Sequence, residues 1–206
     1  MGRMSDIRTV GYFGGTFDPP HLGHEMLARE AFFQLSLDAV MWLITPDPPH
    51  KTKREITPIQ SRLEMLKIVT DRYDEFMISE VDLQRSPPYY AADTAAIIKN
   101  NHPEVGLVYI IGEDSLHDLP GWYQPERFLS TIDQLAVAPR PGFNEDLVAL
   151  DEKIPGLKAK TVFLTEIMIE ISSSLIRERI KRGLAYDHFL SQGVAEYIES
   201  HYLYGL

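Results

Sequence analysis

A chain of 206 residues is long enough to bury a sizeable core as one domain or two small ones. Its 44% hydrophobic and 24% charged residues suit an ordinary globular protein; no apolar run approaches the roughly 18 residues of a membrane span, and the N-terminus lacks a signal-peptide apolar core, so a cytoplasmic protein is expected. Zero cysteines exclude a disulfide framework and thiolate metal sites, and a net charge of −10 without a basic stripe argues against nucleic acid as a partner, so an anionic ligand has to be held by a local cluster.

The first strand-like run is Thr9–Phe13 (TVGYF). It ends at Gly14 and Gly15, where a βα turn has to bend sharply and bring backbone close to a ligand. Asp18 is placed to cap the next helix, Leu22–Leu35, with Pro19 or Pro20 in the first turn. His21 and His24 lie on one side of its opening turns, and Gly23 removes a side chain between them. The positive end of a helix dipole disfavours protonated histidine. A pair of histidines there suits an anion on which dipole, N–H groups and imidazoles converge; a plain helix start with surface histidines is the alternative. Histidines three apart can share a metal, but no third ligand stands at suitable spacing, and no protein-borne metal site is expected. GGTFDP fits neither a dinucleotide fingerprint nor a P-loop.

The second strand, Ala39–Thr45 (AVMWLIT), leads into PDPPHK (Pro46–Lys51). His50 and Lys51 there either meet a mononucleotide phosphate or sit in a solvated loop. A helix over Pro58–Tyr73 and a strand over Phe76–Val81 follow, and YYAADT (Tyr89–Thr94) opens a helix over Ala91–Asn100. The near-continuous apolar run Gly106–Ile111 (GLVYII) reads as a strand covered on both faces. Beyond it, Asp114 either accepts bonds from a ribose hydroxyl or caps the next helix. Trp122 offers an indole for stacking or plugs the core. A short helix near Pro125–Leu129 and a strand Gln134–Ala138 precede APRPG (Ala138–Gly142). The polar stretch 139–160 reads as a loop with one short helix, and Thr161–Leu164 as the last strand. Strands alternating with helices predict a doubly wound, mainly parallel α/β sheet, with ligands beyond the carboxyl ends of its strands. Helices over Ser174–Arg182 and Ser191–Tyr202 close the chain. The expectation is one domain over 1–206, in which the last helices (about 172–206) form a small subdomain.

ISSSLIR, Ile171–Arg177, follows the last strand. With Ser174 as the cap, Arg177 falls at the third helical position, where a capping box would carry Glu or Gln. An arginine there opposes the dipole, yet it gains a role if the helix start receives a phosphate.

These stretches carry a family resemblance. GGTFDPPHLGH resembles the (T/H)xGH motif of the nucleotidyltransferase superfamily of α/β-phosphodiesterases, and ISSSLIR resembles its ISxTxIR motif, with Ser174 for the usual threonine. From Val10 to Tyr204 the chain is similar to the bacterial nicotinate-nucleotide adenylyltransferases. It matches P-x-x-P-P-H-K at Pro46–Lys51, G-x-D…W-Y at Gly112, Asp114, Trp122 and Tyr123, and R-P-G at Arg140–Gly142. The resemblance implies a Rossmann-like nucleotidyltransferase fold with C-terminal helices. It implies transfer of an adenylyl group from ATP, with Mg²⁺, to nicotinate mononucleotide, giving nicotinate adenine dinucleotide and pyrophosphate for NAD biosynthesis.

By the same resemblance His21, His24 and Arg177 are catalytic. Gly14, Gly15, Thr16, Phe17, Asp18, Gly23, Ser172, Ser174 and Arg140 bind ATP, with the Arg140 region near adenine. His50, Lys51, Tyr90, Ala91, Thr94, Gly112, Asp114, Trp122 and Tyr123 bind the mononucleotide. Trp122 would stack on its pyridine ring, and backbone amides near Ala91 and Tyr123 would read its carboxylate. YYAADT departs from the family's S-Y-T-x-D-T at Tyr89 and Ala91, so backbone recognition survives there and a hydroxyl contact does not. Nicotinamide mononucleotide or phosphopantetheine as acceptor, and a nucleotide-binding module without turnover, are the competing readings. No membrane partner is expected, and a homo-oligomer is left open.

Overall fold

A computed structural model describes residues 7–47, 56–165 and 168–206. Six parallel strands form one sheet in the order β3-β2-β1-β4-β5-β6. They are β1 (Thr9–Gly15), β2 (Ala39–Ile44), β3 (Phe76–Ser79), β4 (Gly106–Gly112), β5 (Gln134–Ala138) and β6 (Thr161–Phe163). The helices are α1 (Leu22–Gln34), α2 (Ile59–Thr70), α3 (Ala91–Asn101), α4 (Glu113–Asp118), α5 (Pro125–Thr131), α6 (Leu147–Lys153), α7 (Leu157–Lys160), α8 (Ser173–Lys181) and α9 (Gln192–Ser200). None of the described helices is long and apolar enough to cross a membrane.

The strands are apolar at successive positions because both faces of the sheet are covered. Phe13, Val40, Trp42, Val108 and Ile110 point into one core, shared with α1, α2, α8 and α9. Val10, Tyr12, Leu43, Leu107 and Tyr109 alternate into the other, shared with α3, α4, α5 and α6. The chain winds from β1 through β2 to β3, then crosses back to place β4 on the other side of β1. That reversal leaves a crevice between the carboxyl ends of β1 and β4, where open α/β sheets bind ligands.

Several local expectations are corrected. Gly14 and Gly15 are the last residues of β1, paired with Leu43 and Ile44, rather than a bend after it. His21, not Asp18, caps α1, so Pro19 and Pro20 precede the helix. Ser172, not Ser174, caps α8 by accepting from the Leu175 N–H, which puts Arg177 in the second turn. Val81 belongs to a 3₁₀ turn, Val81–Gln84, and not to β3. The polar stretch after β5 holds two helices, α6 and α7; Asp146 caps α6 by accepting from the N–H groups of Val148 and Ala149.

Candidate active site

His21 and His24 form a reciprocal cap at the start of α1. The His24 N–H donates to His21 Nδ1 (3.3 Å), and the His21 N–H donates to His24 Nδ1 (3.2 Å). The second imidazole therefore replaces the Glu or Gln of an ordinary capping box. Because backbone donors occupy both Nδ1 atoms, each neutral ring carries its proton on Nε2 and is a hydrogen-bond donor there. The rings stack with centroids 3.6 Å apart. His21 is 3% exposed. Burial, and next the charge of Arg140, push its pKa down to about 3, so it works as a neutral donor near pH 7. Phe17 packs edge-on against His24 with ring centroids 5.1 Å apart, and touches Phe13 and Trp42 on its other sides. Gly23 makes room for this set: a Cβ there would lie 2.7 Å from Ile169 and 3.0 Å from His21 Nδ1.

The C-terminal segment closes on the same loop. Ser173 Oγ donates to the Pro19 carbonyl (2.9 Å), and Arg177 donates to the Asp18 carbonyl (2.5 Å) and to Ser174 Oγ (2.9 Å). The Tyr204 hydroxyl donates to Asp18 Oδ1 (2.9 Å). Asp18 is thus a buried anchor instead of a helix cap. Between the two helix starts lies a small polar compartment of about 260 Å³, bounded by Thr16, Phe17, Asp18, Ser172, Ser174 and Arg177, with both histidines at its mouth. Phe17 is itself buried, its ring packed into the aromatic cluster.

The small compartment shares Gly15, Thr16, His21, His24, Asp114 and Arg140 as lining with a larger compartment of about 640 Å³. Gly14, Gly15, Thr16, Gly23 and both histidines form the floor of the larger one, and Gly112, Asp114 and Arg140 line the boundary. Tyr90, Ala91, Thr94, Trp122 and Tyr123 line the far wall. Tyr90 and Tyr123 stack at 4.2 Å. Trp122 lines the compartment, and its ring lies 5.4 Å from core Phe128. Arg140 Nε pairs with Asp114 Oδ1 at 3.0 Å. Asp114 sits in the first turn of α4, whose cap is Gly112, and its carboxylate turns to Arg140 rather than to the helix end. A Cβ at Gly112 would intrude on this pair, meeting Arg140 Nε at 2.9 Å. His50 and Lys51 lie outside the described residues. Among the described residues, no group of three or more His, Asp or Glu side chains is arranged to hold a metal ion.

Residues 12–179 match the family model for cytidylyltransferase-like proteins. The chain belongs to the cytidylyltransferase-like family. It is 38% identical over 195 residues to the probable nicotinate-nucleotide adenylyltransferase of Thermomicrobium roseum, covering 95% of this chain and 91% of that one. It is 39% identical over 198 residues to the Bacillus cereus protein of the same name, covering 96% and 99%. These relatives place it among the nicotinate-nucleotide adenylyltransferases. Its fold also matches a Plasmodium falciparum nicotinic acid mononucleotide adenylyltransferase complexed with NaAD, with a TM-score of 0.76 at 21% identity over 96% of this chain and 97% of that one.

In this cytidylyltransferase-like chain, some residues that shape the site escape the motifs. Glu113 is buried, and its carboxylate accepts from the N–H groups of Arg140 (3.0 Å) and Glu145 (3.2 Å), fixing the Arg140 loop. Asp82 is also buried; it accepts from the Thr94 hydroxyl (2.8 Å) and from Arg85 Nε (2.9 Å). Arg85 further donates to the Pro88 carbonyl (2.8 Å), bracing the turn into α3. The Thr94 hydroxyl is therefore engaged inside this network, even though the residue lines the larger compartment. Glu25 follows His24 and is buried, bonded to Ser191, Arg72 and Tyr73. Glu113 and Glu25 have no local sequence pattern to announce them, because their partners lie 27 or more residues along the chain; Asp82 pairs with Arg85 three residues on and with Thr94 twelve residues on.

Proposed function

We infer that this protein joins ATP to nicotinate mononucleotide, giving nicotinate adenine dinucleotide and pyrophosphate. One observation carries the reading. A small polar compartment between two helix starts, lined by the His21–His24 pair and Arg177, shares its Gly15, Thr16, His21, His24, Asp114 and Arg140 lining with a larger compartment that Tyr90, Trp122 and Tyr123 also line. The first suits a triphosphate and the second a flat ring on a sugar phosphate.

The chemistry needs little from the protein beyond placement and charge. A phosphate monoester has a second pKa of about 6, so the attacking oxygen is already ionised near pH 7 and needs no general base. Its oxygen forms a bond to the α-phosphorus as the bond to the β-phosphate bridging oxygen breaks, and pyrophosphate leaves with that electron pair. Neutral His21, donating from Nε2, acts with His24 to stabilise charge on the α-phosphate. Ser172, Ser174 and Arg177 receive the leaving pyrophosphate. Magnesium bound to ATP adds charge neutralisation at the phosphates. The two carboxylates that line the small compartment, Asp18 and Asp114, are engaged with Tyr204 and Arg140, so a magnesium ion would enter with ATP instead of resting on a protein-borne site. Trp122 stacks on the pyridine ring, and the backbone at Ala91 and Tyr123 reads its carboxylate.

Labelled ATP tests the reaction. Label in the α-phosphate should appear in the dinucleotide and label in the γ-phosphate in pyrophosphate, and His24→Ala should slow both by about 100-fold or more. Release of γ-label as inorganic phosphate, or an unchanged His24→Ala rate, would contradict the assignment. A site that also accepts the amide is the competing reading, favoured by Ala91, which offers no hydroxyl to the acid group.

A further inference from the structure

Arg62 lies on α2, outside every motif, and is 1% exposed. Its guanidinium donates to four backbone carbonyls. Nε reaches Thr57 (2.8 Å), one terminal nitrogen reaches Thr16 (2.8 Å) and Thr45 (2.9 Å), and the other reaches Pro46 (2.5 Å). These oxygens come from three separate places: the loop after β1, the loop after β2 and the approach to α2. Thr16 borders both compartments, and Thr45 borders the larger one.

Four carbonyl dipoles aimed at one buried point repel each other unless a cation sits between them. They would also turn negative potential toward a loop that has to receive a triphosphate. A guanidinium answers both needs, since its planar fork offers five donors in fixed directions. Lysine would bring the charge but only three donors radiating from one atom, too few and too close together to span three segments. Burial opposes the charge on Arg62, and Asp18, itself held by Tyr204, is the foremost carboxylate favouring it.

We propose that Arg62 is a positioning residue that ties the triphosphate-side loop at Thr16 to the mononucleotide-side loop at Thr45 and Pro46, so that the two reacting phosphates meet in line. The proposal rests on the adenylyl-transfer reading, and it adds a coupling between the two half-sites made by a side chain that touches neither substrate. Misplacement of reacting groups by about 1 Å costs on the order of 100-fold in rate, so a small shift between these loops is enough to be measured.

The test compares Arg62→Lys and Arg62→Met with Val69→Ala, a change in the buried core face of the same helix. ATP affinity is measured by calorimetry without acceptor, and kcat and KM for both substrates are measured at a temperature where all variants are folded. Arg62→Lys should weaken ATP binding about ten-fold and lower kcat at saturating substrate by about ten-fold or more. Val69→Ala should lower Tm while keeping both near wild type. Arg62→Met leaves four carbonyls unpaired; if it does not fold, the lysine variant carries the test. An Arg62→Lys enzyme that loses Tm but matches Val69→Ala in ATP binding and kcat would overturn the proposal. A wild-type protein that binds ATP in an Arg62-dependent way, yet transfers adenylyl to no mononucleotide, would uphold the clamp and refute the reaction.

Discussion

His21 shows how much a single residue carries at this site. Its ring caps a helix through Nδ1, stacks on His24 and keeps its proton on Nε2, and it does so while buried. A histidine that is neutral in the fold and titrates near 6.5 in the unfolded chain makes stability depend on pH in a definite direction. The folded pKa is about 3, with burial as the leading cause and Arg140 next. Between pH 6.5 and 3 the unfolded chain binds more protons at this residue, so stability falls as the medium is acidified, by up to about 1.4 kcal/mol per pH unit. Urea unfolding at pH 7, 6 and 5 should show a shallower loss for His21→Asn than for wild type. Identical losses would mean that His21 is not held neutral.

The same residue shows where sequence reading stops. Asp18 is the better N-cap by propensity, and only the geometry reveals that His24 answers His21 across the first turn. Arg62 sits inside α2 and Glu113 opens α4, positions where a charged residue reads as solvent-facing. Their partners are carbonyls and N–H groups up to 46 residues away, so no local pattern marks them. His21 and His24 stood out in the sequence because histidines at a helix start are poor choices for stability alone, whereas Ser174 and Arg177 drew attention through a cap position that Ser172 in fact holds.

At the scale of elements, the strands were easy to find because a sheet covered on both faces writes itself as unbroken apolar runs. The stretch after β5 was not, since α6 and α7 have 7 and 4 residues, too short for helical periodicity to accumulate. A different short element, α4, determines where Arg140 stands. The Arg140 loop is pinned by Glu113, the first residue of α4, whose carboxylate accepts two N–H groups. Glu113→Gln turns one acceptor into a donor facing a donor, and should cost about 1–3 kcal/mol of stability. It should also raise the KM for ATP several-fold with a smaller change in kcat, because the role proposed for the loop is to bind nucleotide without touching the reacting atoms. Steady-state kinetics beside chemical denaturation would check this. A lost kcat with an unchanged KM would move Arg140 into the chemistry itself.

At the scale of the molecule, the site is assembled from both ends of the chain. The loop after β1 is held from the C-terminal side by Ser173, Arg177 and Tyr204, and from α2 by Arg62. Glu25, one residue past His24, adds ties to Ser191 and Arg72. The C-terminal helices share a core with one face of the sheet, so the small polar compartment between the two helix starts exists only once the whole fold has closed. A fold of this kind suits transfer chemistry in which placement, not an acid–base pair, lowers the barrier. It also explains why the net charge of −10 is no obstacle: the cations and neutral donors that matter are gathered at one switch point of the sheet.

The acceptor is what the whole arrangement is built to select, and one measurement addresses it most directly. Pyrophosphate release from ATP should be followed with nicotinate mononucleotide, nicotinamide mononucleotide and phosphopantetheine side by side. A kcat/KM for nicotinate mononucleotide at least about ten-fold above either alternative, with dinucleotide formed one-to-one with pyrophosphate, is the predicted result. Equal or better use of the amide or of phosphopantetheine would contradict it.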